Sequence, residues 1–144
     1  MYYVDTSVLA AYYCPEPLSD KAEEFLKYAG RPAISHLTRL ELFSALSRKV
    51  REGMAPEDGN RIIRQFEYHL TEQKLYRQLG IDDHHYTIAA NWVAQFNTPL
   101  RSLDCLHLAV SSAAQLNLLT ADFRLADAAR FFGLEVTLVT ADNS

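Results

Sequence analysis

The chain has 144 residues, a formal net charge of −4 and 49% hydrophobic side chains. That length and apolar content build a core without disulfide staples, so a single domain over residues 1–144 is expected. No apolar run approaches the ~18 residues of a membrane span, and no basic and apolar leader precedes the first strand. Cys14 and Cys105 have neither metal-site nor disulfide spacing, so a cytoplasmic protein without a membrane partner is expected. The acidic balance counts against a simple nucleic-acid-binding module, which normally carries a basic surplus.

Tyr2-Tyr3-Val4 reads as a short buried strand, because aromatic and β-branched side chains suit a pleated surface. It ends on Asp5, followed by an apolar helix from Ser7 to about Tyr13 that stops near Pro15 and Pro17. In open α/β sheets, ligands bind outside the carboxyl ends of the strands, where Asp5 falls. The plainer role for Asp5 is a helix cap. A second helix runs from Leu18-Ser19-Asp20 to Gly30, with Ala22, Phe25, Leu26 and Ala29 at helical spacing. Pro32 to Ser35 reads as a second strand. A helix from about Leu37 to Glu52, closed by Gly53, places Leu40, Phe43, Leu46 and Val50 on its buried stripe. Glu41, Ser44, Ala45 and Arg48 follow on a neighbouring face, with Glu41 in the first turn or so.

Pro56-Glu57-Asp58 opens a helix with Ile62, Ile63, Phe66 and Leu70 on its apolar side. Lys74 to Ile81 fits either a strand or the frayed end of that helix. Asp82-Asp83 starts a helix carrying Tyr86, Ala89, Ala90, Val93 and Phe96. His84 and His85 lie in its first turn with no third ligand nearby, and read as surface residues. Ser102 is expected to cap a largely buried Ala/Leu/Val helix, with Asp104 in its first turn and His107 one turn on. His107 reads as a hydrogen-bonded structural histidine; orienting a carboxylate or touching substrate are its functional alternatives. Asn117 to Thr120 is a strand, Ala121-Asp122 leads into a helix to Phe132 that ends at Gly133, and Glu135 to Val139 is a last strand. The tail from Ala141 to Ser144 is expected to fray. Strands alternate with helices throughout, which predicts a single α/β/α sandwich with a mainly parallel central sheet.

Asp5 and Asp122 follow strands, and Glu41 and Asp104 begin helices near strand ends. A parallel sheet can gather all four at its carboxyl edge. Each close pair of carboxylates repels by about 3–4 kcal/mol at an effective dielectric near 20, so protons or a cation must relieve the cluster. Oxygen donors without His or Cys suit Mg²⁺ or Mn²⁺, and magnesium bound this way usually also holds phosphate oxygens. The pattern points to metal-assisted phosphodiester hydrolysis.

The chain resembles the PIN-domain ribonucleases, and most closely the VapC-type toxins of toxin–antitoxin pairs. The resemblance rests on Tyr3-Val4-Asp5-Thr6-Ser7-Val8-Leu9, Leu40-Glu41-Leu42-Phe43-Ser44-Ala45-Leu46 and Leu100-Arg101-Ser102-Leu103-Asp104-Cys105-Leu106-His107-Leu108-Ala109. It continues through Leu119-Thr120-Ala121-Asp122-Phe123-Arg124-Leu125-Ala126, Ala129 and Gly133-Leu134-Glu135-Val136. It covers nearly the whole chain and departs at none of the four acids. It implies that Asp5, Glu41, Asp104 and Asp122 are the catalytic and metal-binding acids, with Asp5 and Asp104 favoured as direct ligands and Glu41 and Asp122 acting partly through water. Thr6 or Ser7 would hold a water or a phosphate oxygen. It further implies Mg²⁺ or Mn²⁺ as cofactor, an RNA substrate (transfer, ribosomal and messenger RNA all open), a VapB-type antitoxin that covers the acids, and a homodimer. The helices Ser7–Tyr13 and Leu18–Ala29 offer a groove for a partner helix, or are ordinary core.

Arg48, Lys49 and Arg51 cluster on the central helix, and Arg39, Arg101 and Arg124 lie near the acids in sequence. These cations can meet RNA phosphate or be solvated charges and partners of the acids. The alternatives to a nuclease are a PIN-like module that binds RNA or protein without cutting, a haloacid-dehalogenase-type phosphatase, and a phosphoacceptor domain. The phosphatase would need a second acid where Ser7 stands, and the phosphoacceptor an acidic pair that is missing.

Overall fold

The computed structural model describes residues 1–141. The last three residues of the tail expected to fray, 142–144, lie outside the described residues. The elements run β1 (Tyr2–Val4), α1 (Thr6–Tyr13), α2 (Ser19–Ala29), β2 (Ala33–Ser35), α3 (His36–Arg51) and α4 (Pro56–Thr71). They continue with β3 (Arg77–Leu79), α5 (Asp83–Val93), α6 (Ser102–Ala113), β4 (Asn117–Thr120), α7 (Phe123–Phe131) and β5 (Val136–Leu138).

The strands form a five-stranded sheet in the order β3-β2-β1-β4-β5, and every pairing is parallel. Period-two alternation divides its side chains between two layers. Val4, Ile34 and Leu119 face a core shared with α1, α3 and α4, including Leu9, Leu42, Leu46 and Phe66. Tyr3, Ala33 and Leu118 face the opposite core with Leu108, Leu125 and Ala129 from α6 and α7. The architecture is the expected α/β/α sandwich. The ambiguous segment from Lys74 to Ile81 contains a strand, β3, which pairs with β2 from Arg77 to Leu79.

The chain steps outward from β1 to β2 and β3, then returns to place β4 on the other side of β1. The order therefore reverses between β1 and β4. In open parallel sheets the carboxyl end of such a crevice is left uncovered by crossovers and collects ligands.

Several local expectations shift. Leu40 is 66% exposed rather than buried. The buried face of α3 is Leu37, Thr38, Leu42 and Leu46, so Leu46 is buried as expected while Phe43 and Val50 are only partly covered. A polar residue joins it because the Thr38 hydroxyl lies in a hydrogen-bonded group with Ser35 and Tyr3. The capping box of Ser35 and Thr38 starts α3 at His36, so Glu41 falls in the second turn, not the first. Ser102 is the first residue of α6 rather than its cap, a position held by Arg101. α5 ends at Val93, and Phe96, expected on its apolar side, is 92% exposed in the following loop. His84 is exposed as expected, whereas His85 is partly covered and completes a capping box with Asp82.

Candidate active site

Asp5 follows β1, and its amide extends the ladder by donating to the Leu119 carbonyl at 2.9 Å. It stands at the N-cap position of α1, yet its side chain makes no capping bond. Instead Oδ2 accepts from Ser7 Oγ at 2.6 Å and from Thr120 Oγ1 at 2.8 Å. Only 6% of Asp5 is exposed. A charge buried to that degree is held by directed donors, and here both pull on one oxygen. Oδ1 is left without a protein partner among the described residues, but it is not sealed from solvent. This geometry answers the capping alternative.

Asp122 is the contrasting case. Its Oδ1 caps α7 by accepting from the amides of Arg124 (2.9 Å) and Leu125 (3.4 Å). Its own amide donates to Thr120 Oγ1 at 3.0 Å. Thr120 therefore links the two aspartates across the β1–β4 crevice. Ser7 Oγ closes the same link by accepting from the Ala121 amide at 2.9 Å.

Glu41 projects from α3 toward the same edge, and its Oε1 accepts from Thr6 Oγ1 at 2.7 Å and pairs with His107 Nε2 at 2.5 Å. His107 is fully buried, and its Nδ1 is hydrogen-bonded to Tyr3 Oη at 2.7 Å. Tyr3 Oη in turn lies 2.8 Å from Ser35 Oγ. Burial alone would raise the Glu41 carboxyl, but the hydrogen bond and charge of His107 and the Thr6 hydroxyl outweigh it and hold the group below its ordinary range. Burial likewise opposes charge on His107, yet Glu41, Asp5 and Asp104 raise it. Burial also pushes the Tyr3 phenol up, so it stays protonated and can bond within this chain.

Asp104 sits in the first turn of α6 and makes no side-chain hydrogen bond among the described residues. Its carboxyl is raised, first by burial and then by the charges of Asp5, Asp122 and Glu41. Asp104 thus feels the other three acids, although the carboxylate oxygens and ring nitrogen that lie within 4.8 Å of one another belong to Asp5, Glu41 and His107. Carboxylate oxygens of Asp5 and Glu41 come within 4.8 Å of each other, which repels by about 3 kcal/mol at an effective dielectric near 20 before further screening by solvent.

The donor set fits a hard divalent cation. Each acid has at least one carboxylate oxygen without a protein donor among the described residues. His107 lies within ligand distance of Asp5 and Glu41. Both its nitrogens are already engaged, so it orients Glu41 rather than offering itself to a metal. The hydroxyls of Thr6 and Ser7, expected near a water or a phosphate, direct their protons to Glu41 and Asp5.

Thr120 and Tyr3 escaped the reading of the sequence. Thr120 closes a strand two residues before Asp122, which was the available signal. Tyr3 had none beyond its place in β1.

Of the named cations, Arg39 is committed to Glu67 at 2.7 Å and lies over the Phe43 ring, and Arg51 bonds Ser47. Arg48 and Lys49 line a cleft that begins at Ser7 and runs between α1 and α3. Arg101 precedes Asp104 by three residues and Arg124 follows Asp122 by two; both are exposed. The side chains of these four form no ion pair with the acids.

The fold and site define a parallel α/β sandwich with a cluster of carboxylates at its switch point. The chain belongs to the PIN-domain family, whose model matches residues 2–131. No curated protein matches it in sequence. Among solved structures it is similar to FitAcB from Neisseria gonorrhoeae, at 19% identity and a TM-score of 0.72, covering 94% of this chain and 96% of that one. It is also similar to the DNA-bound VapBC complex from Salmonella typhimurium (17% identity, TM-score 0.72, 96% and 98% covered). A third is VapC20 of Mycobacterium tuberculosis, described as a sarcin-ricin loop cleaving toxin (16%, 0.69, 89% and 95%). At these identities the likeness establishes the fold.

Proposed function

We propose that residues 1–144 form a single Mg²⁺- or Mn²⁺-dependent endoribonuclease domain, the toxin of a toxin–antitoxin pair. The observation that carries this reading is the approach of Asp5 and Glu41 to each other with carboxylate oxygens left open; Asp104, raised in part by the charges of Asp5, Asp122 and Glu41, and Asp122, linked to Asp5 through Thr120, complete the proposed set. Asp5, through Oδ1, and Asp104 are the direct ligands, because neither of those groups is spent on a protein donor. Glu41 and Asp122 have one oxygen each fixed by the protein and act partly through water. When bound, the cation lowers the pKa of a water and offsets charge on the phosphate. The chain's part is to hold the carboxylates still. Ser7 and Thr120 do so for Asp5, and Thr6 and His107 for Glu41.

RNA phosphates meet Arg48 and Lys49, which line the cleft that begins at Ser7, and Arg101 and Arg124, which lie close to Asp104 and Asp122 in the chain, and this answers the net negative charge locally. A VapB-type antitoxin is the expected partner. Similar structures include a toxin–antitoxin complex from Klebsiella pneumoniae and DNA-bound VapBC complexes from Salmonella typhimurium and Rickettsia felis. A homodimer forms through the apolar groove of α5 and α6, where Tyr86, Val93 and Leu103 are 59%, 43% and 48% exposed. A two-fold pairing covers both copies of such a patch at once.

The test is cleavage of a labelled small-RNA pool by protein freed of antitoxin, with Mg²⁺, Mn²⁺ or chelator, beside Asp5→Asn. Discrete cuts that need metal and vanish in the variant are expected. Equal cutting by the variant, or none by folded wild-type protein, overturns the proposal.

A further inference from the structure

We infer that the cleft between loop 94–101 and α7 is a subsite for an unpaired nucleotide beside the scissile phosphate, with its base stacked on Phe131 and its phosphate held by Arg124. This rests on the ribonuclease reading and adds to it the location and the side chains of one subsite.

The cleft holds about 290 Å³ and is lined by Asn97, Thr98, Pro99, Arg124, Asp127 and Phe131, which puts it at the small end of ligand sites. Its two walls belong to the segments that carry two of the acids. Loop 94–101 runs into Arg101 and the first turn of α6, where Asp104 stands. The Arg124 amide bonds the carboxylate of Asp122. Arg124 at the start of α7 joins the cleft to Asp122, and Phe131 at the other end of the same helix marks how far from the acids the cleft extends.

The chemistry of the lining selects the occupant. Arg124 is exposed, and its guanidinium forms no ion pair or hydrogen bond among the described residues. The one acid in the cleft, Asp127, is paired with Arg130 at 3.6 Å. Phe131 is 59% exposed, while its neighbour Phe132 stacks on Trp92 at 4.6 Å, so this aromatic pair divides one ring to the core and one to the surface. Phe96, next to Asn97, is 92% exposed and has φ 57°. That left-handed residue closes α5, with the Phe96 amide donating to the Val93 carbonyl at 3.2 Å.

An open ring beside an uncommitted guanidinium is how proteins hold single strands, with the base on the ring and the phosphate on the cation. Paired RNA does not fit this pattern, because the faces of its bases are hidden in the helical stack. The Arg48/Lys49 cleft has cations but no aromatic lining, which suits backbone contact alone.

The test uses a short single-stranded RNA carrying 2-aminopurine, and the same sequence as a duplex. Binding is followed by fluorescence on Asp5→Asn protein, and KM and kcat are read on otherwise wild-type protein. Phe131→Leu, at a surface position, is expected to weaken strand binding about five- to a hundredfold, as for the loss of one stacked base, and to abolish the quench. Phe131→Tyr restores both. Arg124→Gln lowers the slope of log Kd against log salt by about 0.7. The inference is overturned if Phe131→Leu matches wild type in KM and Kd, or if the duplex binds as tightly as the strand. It is also overturned if the substitution impairs only antitoxin binding, which would make the cleft a protein-docking site. Wild-type cleavage with unaltered Phe131→Leu kinetics sinks the subsite alone. Wild-type protein that neither binds nor cuts RNA sinks the ribonuclease reading as well.

Discussion

Replacing His107 with leucine separates an orienting histidine from a metal ligand. The side chains are similar in volume, so the change removes polarity rather than packing. It deletes the 2.5 Å bond to Glu41 and the 2.7 Å bond to Tyr3. The first involves charge and is worth about 1.5–3 kcal/mol, and the second about 1. Tyr3 keeps Ser35 and Glu41 keeps Thr6, and the Glu41 side chain is 24% exposed and can regain water. The lower part of the range therefore applies, about 2–3 kcal/mol. In a chain of this size that lowers Tm by roughly 4–12 °C, read by circular dichroism in chelator. Metal affinity, read by calorimetry with Mn²⁺, should fall about 10- to 100-fold, as for a group that orients a ligand. Complete loss of Mn²⁺ binding by a folded variant would make His107 a ligand. Unchanged affinity and Tm would show that the chain from Tyr3 to Glu41 positions nothing.

The same geometry sets three further expectations. Asp104→Asn removes a charge that the other acids repel, so metal-free protein should gain about 2–4 °C in Tm, the equivalent of ~1 kcal/mol. Mn²⁺ at about a hundred times its Kd should stabilise wild type by about 2.7 kcal/mol and this variant not at all; a less stable metal-free variant would contradict the shared field. Asp122→Asn retains an acceptor for the Arg124 amide, whereas Asp122→Ala loses the cap, so alanine should be less stable by about 1 kcal/mol in urea melts while both lose metal-dependent cutting. For the Glu41–His107 pair, the carboxyl is depressed from 4.5 and the imidazole raised from 6.5. The carboxylate contribution is complete above about 4.5 and lost as pH falls through the folded value; the imidazolium contribution is complete below about 6.5 and lost as pH rises through its folded value. Wild-type Tm in chelator should therefore be highest in that window relative to His107→Leu, and a difference independent of pH would deny the ion pair.

Much of the fold is legible from period and punctuation. Tyr2-Tyr3-Val4, Asn117 to Thr120 and the helices closed by Gly30, Gly53 and Gly133 lie where local chemistry places them. Leu40 shows the limit. Hydrophobic spacing assigns it to the core, but the hydrogen bonds of Thr38 turn a polar residue inward and rotate the stripe away from it. α5 shows the same limit, because helical spacing groups Tyr86 and Val93 with Ala89 and yet only Ala89 is buried.

Residue type and order by themselves determined the alternation of strands and helices and supplied four acids at strand ends and helix starts, since both follow from short-range propensity. Only the tertiary structure decided how those acids are held. Asp5 and Asp122 look alike in sequence, each a carboxylate between a strand and a helix. One caps its helix; the other turns from its own amides to hydroxyls of Ser7 and Thr120, the latter 115 positions away. His107 meets Glu41 across 66 positions and Tyr3 across 104. Which partner wins at such separations depends on strand order and helix register, and these are settled by how the whole sheet packs.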